Sequence, residues 1–184
     1  PQDRFYLSTF GDAVNAYTPE LTPAAQAQQA ANWLDSVRVR GGTNLGQALL
    51  TAAQAADPAR PSYLILITDG LPTSGETDRA AILADFSRVR SASLRVFSIG
   101  IGDELDTTLL DTLSTQNHGR SLYIRPDQSI TAPLQDLYKN ISSPVLTDVS
   151  IDFGGAQVYD LYPQTAPDLF AGQTSLLMGR YRQP

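Results

Sequence analysis

Apolar positions along this chain alternate between continuous runs and runs spaced like a helix face. The first continuous run is Tyr63-Leu64-Ile65-Leu66-Ile67, closed by Thr68-Asp69-Gly70. The second is Leu94-Arg95-Val96-Phe97-Ser98-Ile99-Gly100-Ile101. Runs apolar on both faces predict central strands of a covered parallel sheet. Helical spacing fills the intervals. Ala27, Ala30, Leu34 and Val37 form one stripe, with Thr22 as N-cap and Pro23 as first helical residue. Leu45, Ala48, Leu49, Ala52 and Ala56 form another, running from Asn44 to Asp57-Pro58. Ile82, Leu83, Phe86 and Val89 predict a third helix. Leu109, Leu110 and Leu113 predict a fourth, capped by Asp106 or Thr107, and Ile130, Leu134, Leu137, Tyr138 and Ile141 a fifth.

A strand over residues 4–10, a short partner over Ala13–Tyr17 after the turn at Gly11-Asp12, and a strand over Ser121–Ile124 complete this part. Strand and helix alternate, so the predicted fold is α/β: three layers, doubly wound, on a mostly parallel sheet with right-handed crossovers. The pattern changes at Ser142-Ser143-Pro144. Strands are predicted near Val145–Phe153, Gln157–Tyr162 and Thr174–Tyr181, with no helical period, and Tyr159, Tyr162 and Phe170 are expected in a core. This divides the chain into residues 1–142 and a β extension, 143–184, too small for a core of its own.

Composition narrows the partners. A formal net charge of −6 lacks the basic face that phosphate binding needs and argues against nucleic acid. With no cysteine, disulfides, thiolate metal sites and thiol nucleophiles are excluded. No apolar stretch reaches the roughly 20 residues of a membrane span. Pro1-Gln2-Asp3-Arg4 leads directly into the first strand without Met or a signal peptide, which reads as a piece of a longer protein and leaves the compartment open.

Two places carry candidate chemistry. Asp69 follows the carboxyl end of a central strand, the edge where open α/β sheets bind ligands. Gly41-Gly42-Thr43-Asn44 sets a tight turn before a helix and leaves the Thr43 hydroxyl free to face the same edge. Read singly, the first is a turn and the second a linker with an N-cap. Read together, one helix and one strand apart, they form a constellation.

That constellation, with Leu7-Ser8-Thr9-Phe10-Gly11-Asp12 and Val96-Phe97-Ser98-Ile99-Gly100-Ile101-Gly102 in order, resembles the von Willebrand factor type A domain over about residues 3–142. Asp168-Leu169-Phe170-Ala171-Gly172-Gln173 and Gly179-Arg180-Tyr181 resemble the segment after that domain in inter-alpha-trypsin inhibitor heavy-chain-like proteins. The resemblance implies a metal-ion-dependent adhesion site. Its oxygen ligands hold Mg²⁺, or Ca²⁺ or Mn²⁺, and leave a coordination position for an acidic side chain of a protein partner. Thr43 and Asp69 match its second and third loops.

Its first loop, Asp-x-Ser-x-Ser, has no counterpart before Phe5. The resemblance therefore implies a partial site, weak cation binding, and a vacant central-strand position between residues 4–10 and 63–68. A strand-swapped homodimer is one way to fill that position. It also suggests an extracellular, periplasmic or cell-surface setting.

Other features weigh less. Asp127-Gln128-Ser129-Ile130-Thr131 mimics the missing loop, but its place in the chain suits a helix cap. His118 is the single histidine and lies in an Asn-His-Gly turn; Asp103 and Glu104 read as a solvated loop. Ser74, Gly75 and Glu76 follow Asp69 in a loop that nothing in the sequence fixes. Three readings of function remain: a cation-dependent binding module, a structural domain with a vestigial site, and an α/β hydrolase using Asp69. The last lacks a Gly-x-Ser-x-Gly elbow, and Gly100-Ile101-Gly102 lacks the third glycine of a dinucleotide loop.

Overall fold

The computed structural model describes residues 3–38, 41–141, 144–146, 149–164, 166, 168–170 and 174–182. In chain order the strands are β1 (Arg4–Phe5), β2 (Ser8–Phe10), β3 (Val14–Ala16), β4 (Thr22–Pro23), β5 (Ser62–Thr68), β6 (Leu94–Ile101), β7 (Ser121–Ile124), β8 (Pro144–Leu146), β9 (Gln157–Tyr162), β10 (Leu169–Phe170) and β11 (Met178–Arg182). The helices are α1 (Ala27–Ser36), α2 (Leu45–Ala55), α3 (Arg79–Val89), α4 (Thr107–Thr115) and α5 (Thr131–Ile141).

The centre is a parallel sheet in the order β5-β6-β7, with Ile65 opposite Phe97 and Ile99 opposite Leu122. Alternation along the strands sorts the core into two faces. Leu66 and Val96 meet Leu45 and Leu49 of α2, Ile82 and Phe86 of α3, and Leu109, Leu110 and Leu113 of α4. Phe97, Ile99 and Ile124 meet Leu137 and Ile141 of α5 on the other face. Each of these buried side chains contributes about 1.5–3 kcal/mol relative to exposure. The helix starts follow local chemistry: the side chains of Asn44, Asp78 and Asp106 accept from the backbone N–H of Gln47, Ala81 and Leu109.

The structure corrects several expectations. The strand over 4–10 is two short strands. β1 pairs antiparallel with β4, so Thr22-Pro23 is strand rather than helix start. A 3-10 turn over Ala24–Gln26 intervenes before α1, which begins without a side-chain cap. Thr22 is buried and its hydroxyl lies 2.6 Å from that of Thr18, so tertiary pairing overrides the capping signal. Leu34, Val89, Ile130 and Tyr138 are exposed although they share helical spacing with buried neighbours.

The covered central strand is β6, buried from Leu94 to Gly100. β5 is half-covered: Ile65 and Ile67 are 41% and 44% exposed. They share the face of Phe97 and Ile99, but α5 covers only the β6–β7 side. Among the described residues β5 pairs with β6 alone, and β2 pairs with β3 alone.

The extension holds two antiparallel pairs, β8 with β10 and β9 with β11. Residues 149–153 are not strand. Tyr159 and Tyr162 are surface residues, 39% and 72% exposed, not core; the Phe170 side chain lies outside the described residues. A hairpin with one layer has nothing behind it to bury both faces. The extension is tied to the sheet by a buried ion pair between Arg95 of β6 and Asp168.

Candidate functional site

Three loops meet near the carboxyl edge of the parallel sheet. The first is the β2–β3 turn at Gly11-Asp12. Its partner, the Gly41–Asn44 loop, leads into α2. The third runs from Asp69 to Asp78 after β5. Gly41 has φ +79°, a conformation glycine accepts at no steric penalty. A Cβ there would lie 1.9 Å from the Asp12 carboxylate, so Asp12 occupies the space a side chain would need. Gly42 N–H donates to Asp12 Oδ1 at 2.7 Å, and Asn44 N–H donates to Gly11 O at 2.7 Å.

From the opposite side, Thr43 N–H donates to Thr73 Oγ1 at 2.8 Å, and Thr73 N–H donates back to Thr43 O at 3.1 Å. Thr43 is thus pinned between the β2–β3 turn and the loop after β5. Its hydroxyl lies 3.9 Å from where a Gly70 Cβ would be, beside the residue that follows Asp69. Asp69 O lies 3.9 Å from the corresponding point on Gly102, so the turn after β6 borders the same place.

The two residues singled out by the sequence are therefore brought to one edge. Asp69 is exposed and Thr43 half-buried. Among the described residues, no hydrogen bond or ion pair engages the Asp69 carboxylate or the Thr43 hydroxyl. Ser74 Oγ is buried without a partner, 3.1 Å from the point a Gly42 Cβ would take. Carboxylate and hydroxyl oxygens, two of them unengaged and a third orphaned nearby, are a hard-cation donor set and fit Mg²⁺ or Ca²⁺ better than a soft metal. No group of three or more acidic or histidine side chains that could hold a metal ion occurs among the described residues.

Asp103 and Glu104 lie exposed beyond Gly102, as expected. Asp106 is committed elsewhere, capping α4 and pairing with Arg79 at 2.9 Å. Glu76 accepts from Asp78 N–H, and Gly75, at φ +68°, packs against the Asn44 amide. Ser129 accepts from Thr131 N–H at 3.4 Å at the start of α5. His118 precedes the amino end of β7, whereas Asp69 follows the carboxyl end of β5. In a parallel sheet these are opposite edges.

Asp12 is the residue that sequence reasoning leaves in a plain turn. Its contact with Gly42 spans 30 positions, and no local pattern signals it.

Residues 1–123 match the family model for the von Willebrand factor type A domain, and the chain belongs to that family. Among curated proteins it is similar to inter-alpha-trypsin inhibitor heavy chain H1 of Mesocricetus auratus, with 31% identity over 98% of this chain and 21% of the relative. It is also similar to heavy chain H4 of Homo sapiens, with 28% identity over 98% of this chain and 20% of the relative. The chain spans about one fifth of the length of these relatives.

Among solved structures, a von Willebrand factor type A protein from Catenulispora acidiphila aligns with a TM-score of 0.69 at 20% identity, over 98% of this chain and 45% of that one. Proximal thread matrix protein 1 from the mussel byssus, with a zinc-occupied MIDAS motif, aligns with a TM-score of 0.58 at 18% identity, over 74% of this chain and 35% of that one. These two likenesses establish the shared fold.

Proposed function

We propose that this chain is a protein-binding module that engages an acidic side chain of its partner through a divalent cation, Mg²⁺ or a similar hard ion, held at the carboxyl edge of the sheet. The observation that carries the reading is that Thr43, whose hydroxyl lies beside Gly70, and the neighbouring Asp69 come to one edge of the sheet with their side-chain oxygens unengaged among the described residues. Asp69 supplies the charge, Thr43 a neutral oxygen, and the remaining positions belong to water and the partner. With two protein ligands the ion is held weakly. The module acts by binding rather than catalysis: the one histidine is at the far edge of the sheet from Asp69.

A second part of the proposal concerns the sheet. The edge of β5 that pairs with no strand among the described residues, together with the exposed Ile65 and Ile67, supports a vacant strand position between β2 and β5. A strand from a second copy, giving a swapped homodimer, fits that edge, as does one supplied from elsewhere in a longer protein. Similarity to the heavy chains supports an extracellular, periplasmic or cell-surface setting. No helix among the described residues is long and apolar enough to cross a membrane.

Mn²⁺ titration followed by paramagnetic broadening of amide resonances tests the cation site even when binding is weak. Broadening is expected to centre on Thr43, Asp69 and Gly70 and to fade in Asp69→Ala and Thr43→Ala. The same pattern in all three proteins would sink the cation reading, leaving the structural-domain alternative.

A further inference from the structure

We propose that Asp12 is the positioning residue of the Thr43 loop: its carboxylate clamps the Gly41-Gly42 turn and thereby aims the Thr43 hydroxyl at the Asp69 edge. The consequence for cation binding rests on the function proposed above; the clamp itself does not.

Four observations converge on this role. Asp12 Oδ1 accepts from Gly42 N–H at 2.7 Å, a bond to an ionised acceptor and so stronger than a neutral one. Its Oδ2 lies 1.9 Å from where a Gly41 Cβ would be, so only glycine, at φ +79°, lets the carboxylate reach across the turn. Asp12 O accepts from Asn44 Nδ2 at 3.3 Å, and Gly11 O accepts from Asn44 N–H at 2.7 Å, which locks the residue after Thr43 to the same turn. Thr73 and Ser74 hold Thr43 from the other side through its backbone N–H and C=O. Backbone groups of Thr43 are thereby consumed and its hydroxyl is left over. Asp12 does not itself become a ligand in this arrangement. It acts as an outer partner that fixes the orientation of one, a role whose removal elsewhere lowers metal affinity about 10- to 100-fold.

The pairing also explains an odd economy in the sequence. Gly41 leaves the space that a carboxylate 29 positions away fills, and a Cβ on Gly42 would meet Thr73 Oγ1 at 2.8 Å and Asp12 Oδ1 at 2.9 Å, the two side chains that hold the loop from either side.

Amide hydrogen exchange in the metal-free 184-residue chain tests the clamp, with Asp12→Ala, Asp12→Asn and Asp12→Ser. In Asp12→Ala, exchange at Gly42, Thr43 and Asn44 should accelerate about 10- to 100-fold, while β6 amides keep their wild-type rates. Asp12→Asn keeps an oxygen for Gly42 N–H and should restore most of the protection. Asp12→Ser, whose hydroxyl stops short of Gly42, should behave like Asp12→Ala and serves if that variant does not fold. Unchanged exchange at these three amides, or acceleration spread evenly over the sheet, overturns the proposal.

Mn²⁺ broadening on the same proteins separates the two readings. If wild type shows no broadening at Thr43, the cation reading fails while the exchange data still judge the clamp. If wild type broadens and Asp12→Ala does so equally, Asp12 does not position the ligand.

Discussion

Tyr123 shows how far one side chain can depart from its ordinary chemistry on a half-open surface. Its hydroxyl donates to Asp111 Oδ1 at 2.7 Å and lies 3.1 Å from Thr107 O. Burial, then the bond to Asp111, favours the neutral phenol and pushes its pKa up to about 12. The sign follows: the stabilisation is complete below the ordinary tyrosine range near ~10 and is lost as pH rises through about 12. Phenolate absorbance should therefore show a last titration step that is missing in Tyr123→Phe and moves to lower pH in Asp111→Asn. A difference titration placing Tyr123 near the ordinary tyrosine value of about 10 would refute this. Asp12 and Thr43 belong to the same scale: what each does is set by which of its atoms are already spoken for.

At the scale of elements, two glycines show opposite relations between chain and fold. Gly119 lies between the His118 turn and β7, and a Cβ on it would sit 1.7 Å from Val96 O. That obstacle is strand backbone, which cannot swing aside as a side chain can. Gly119→Ala should destabilise by about 1–3 kcal/mol or more, since β6 must shift along its pairing with β5. Gly46 is a helical residue of α2 whose added Cβ would meet Glu76 Cβ and Ile82 Cγ1 at 3.6 Å, an ordinary contact. Gly46→Ala should stabilise by about 0.5–1 kcal/mol. Urea unfolding of the two variants checks both, and equal midpoints would contradict the account. The helix caps lie on this scale too. Asn44, Asp78 and Asp106 are local signals and act locally, whereas Thr22 carries the same signal and is claimed by β1 instead.

At the scale of the whole molecule, two interactions decide what the chain can join. The Arg95–Asp168 pair is buried on both sides and ties the extension to the central strand. Asp168→Ala breaks this buried, charge-assisted contact and should cost about 3–5 kcal/mol in urea unfolding. A double replacement by Met and Leu should recover much of that. A loss below about 1 kcal/mol would mean that the pair does not hold the extension in place. The second is the edge of β5 that no strand among the described residues pairs with. If a strand from another copy completes the sheet, sedimentation should show a concentration-dependent dimer that Ile65→Lys with Ile67→Lys abolishes. A monomer at every concentration would refute the swapped dimer.

Read alone, the amino-acid sequence determines the layered α/β class and the strands β5, β6, β7 and β9, and it singles out Thr43 and Asp69 as candidates. These follow from periodicity, from punctuation by glycine and from the order of short motifs, all of which act over a few residues. Only the tertiary structure decides which apolar residues are covered. Ile65 and Phe97 lie in equally apolar runs and sit side by side, yet one is 41% exposed and the other buried, because α5 reaches one and not the other. Likewise Tyr159 and Tyr162 read as core and lie at the surface, because a hairpin buries a face only where something packs behind it. The Asp12 clamp and the Arg95–Asp168 pair span 30 and 73 positions. Contacts of that reach depend on how elements pack, and packing is a property of the assembled chain rather than of any window of it.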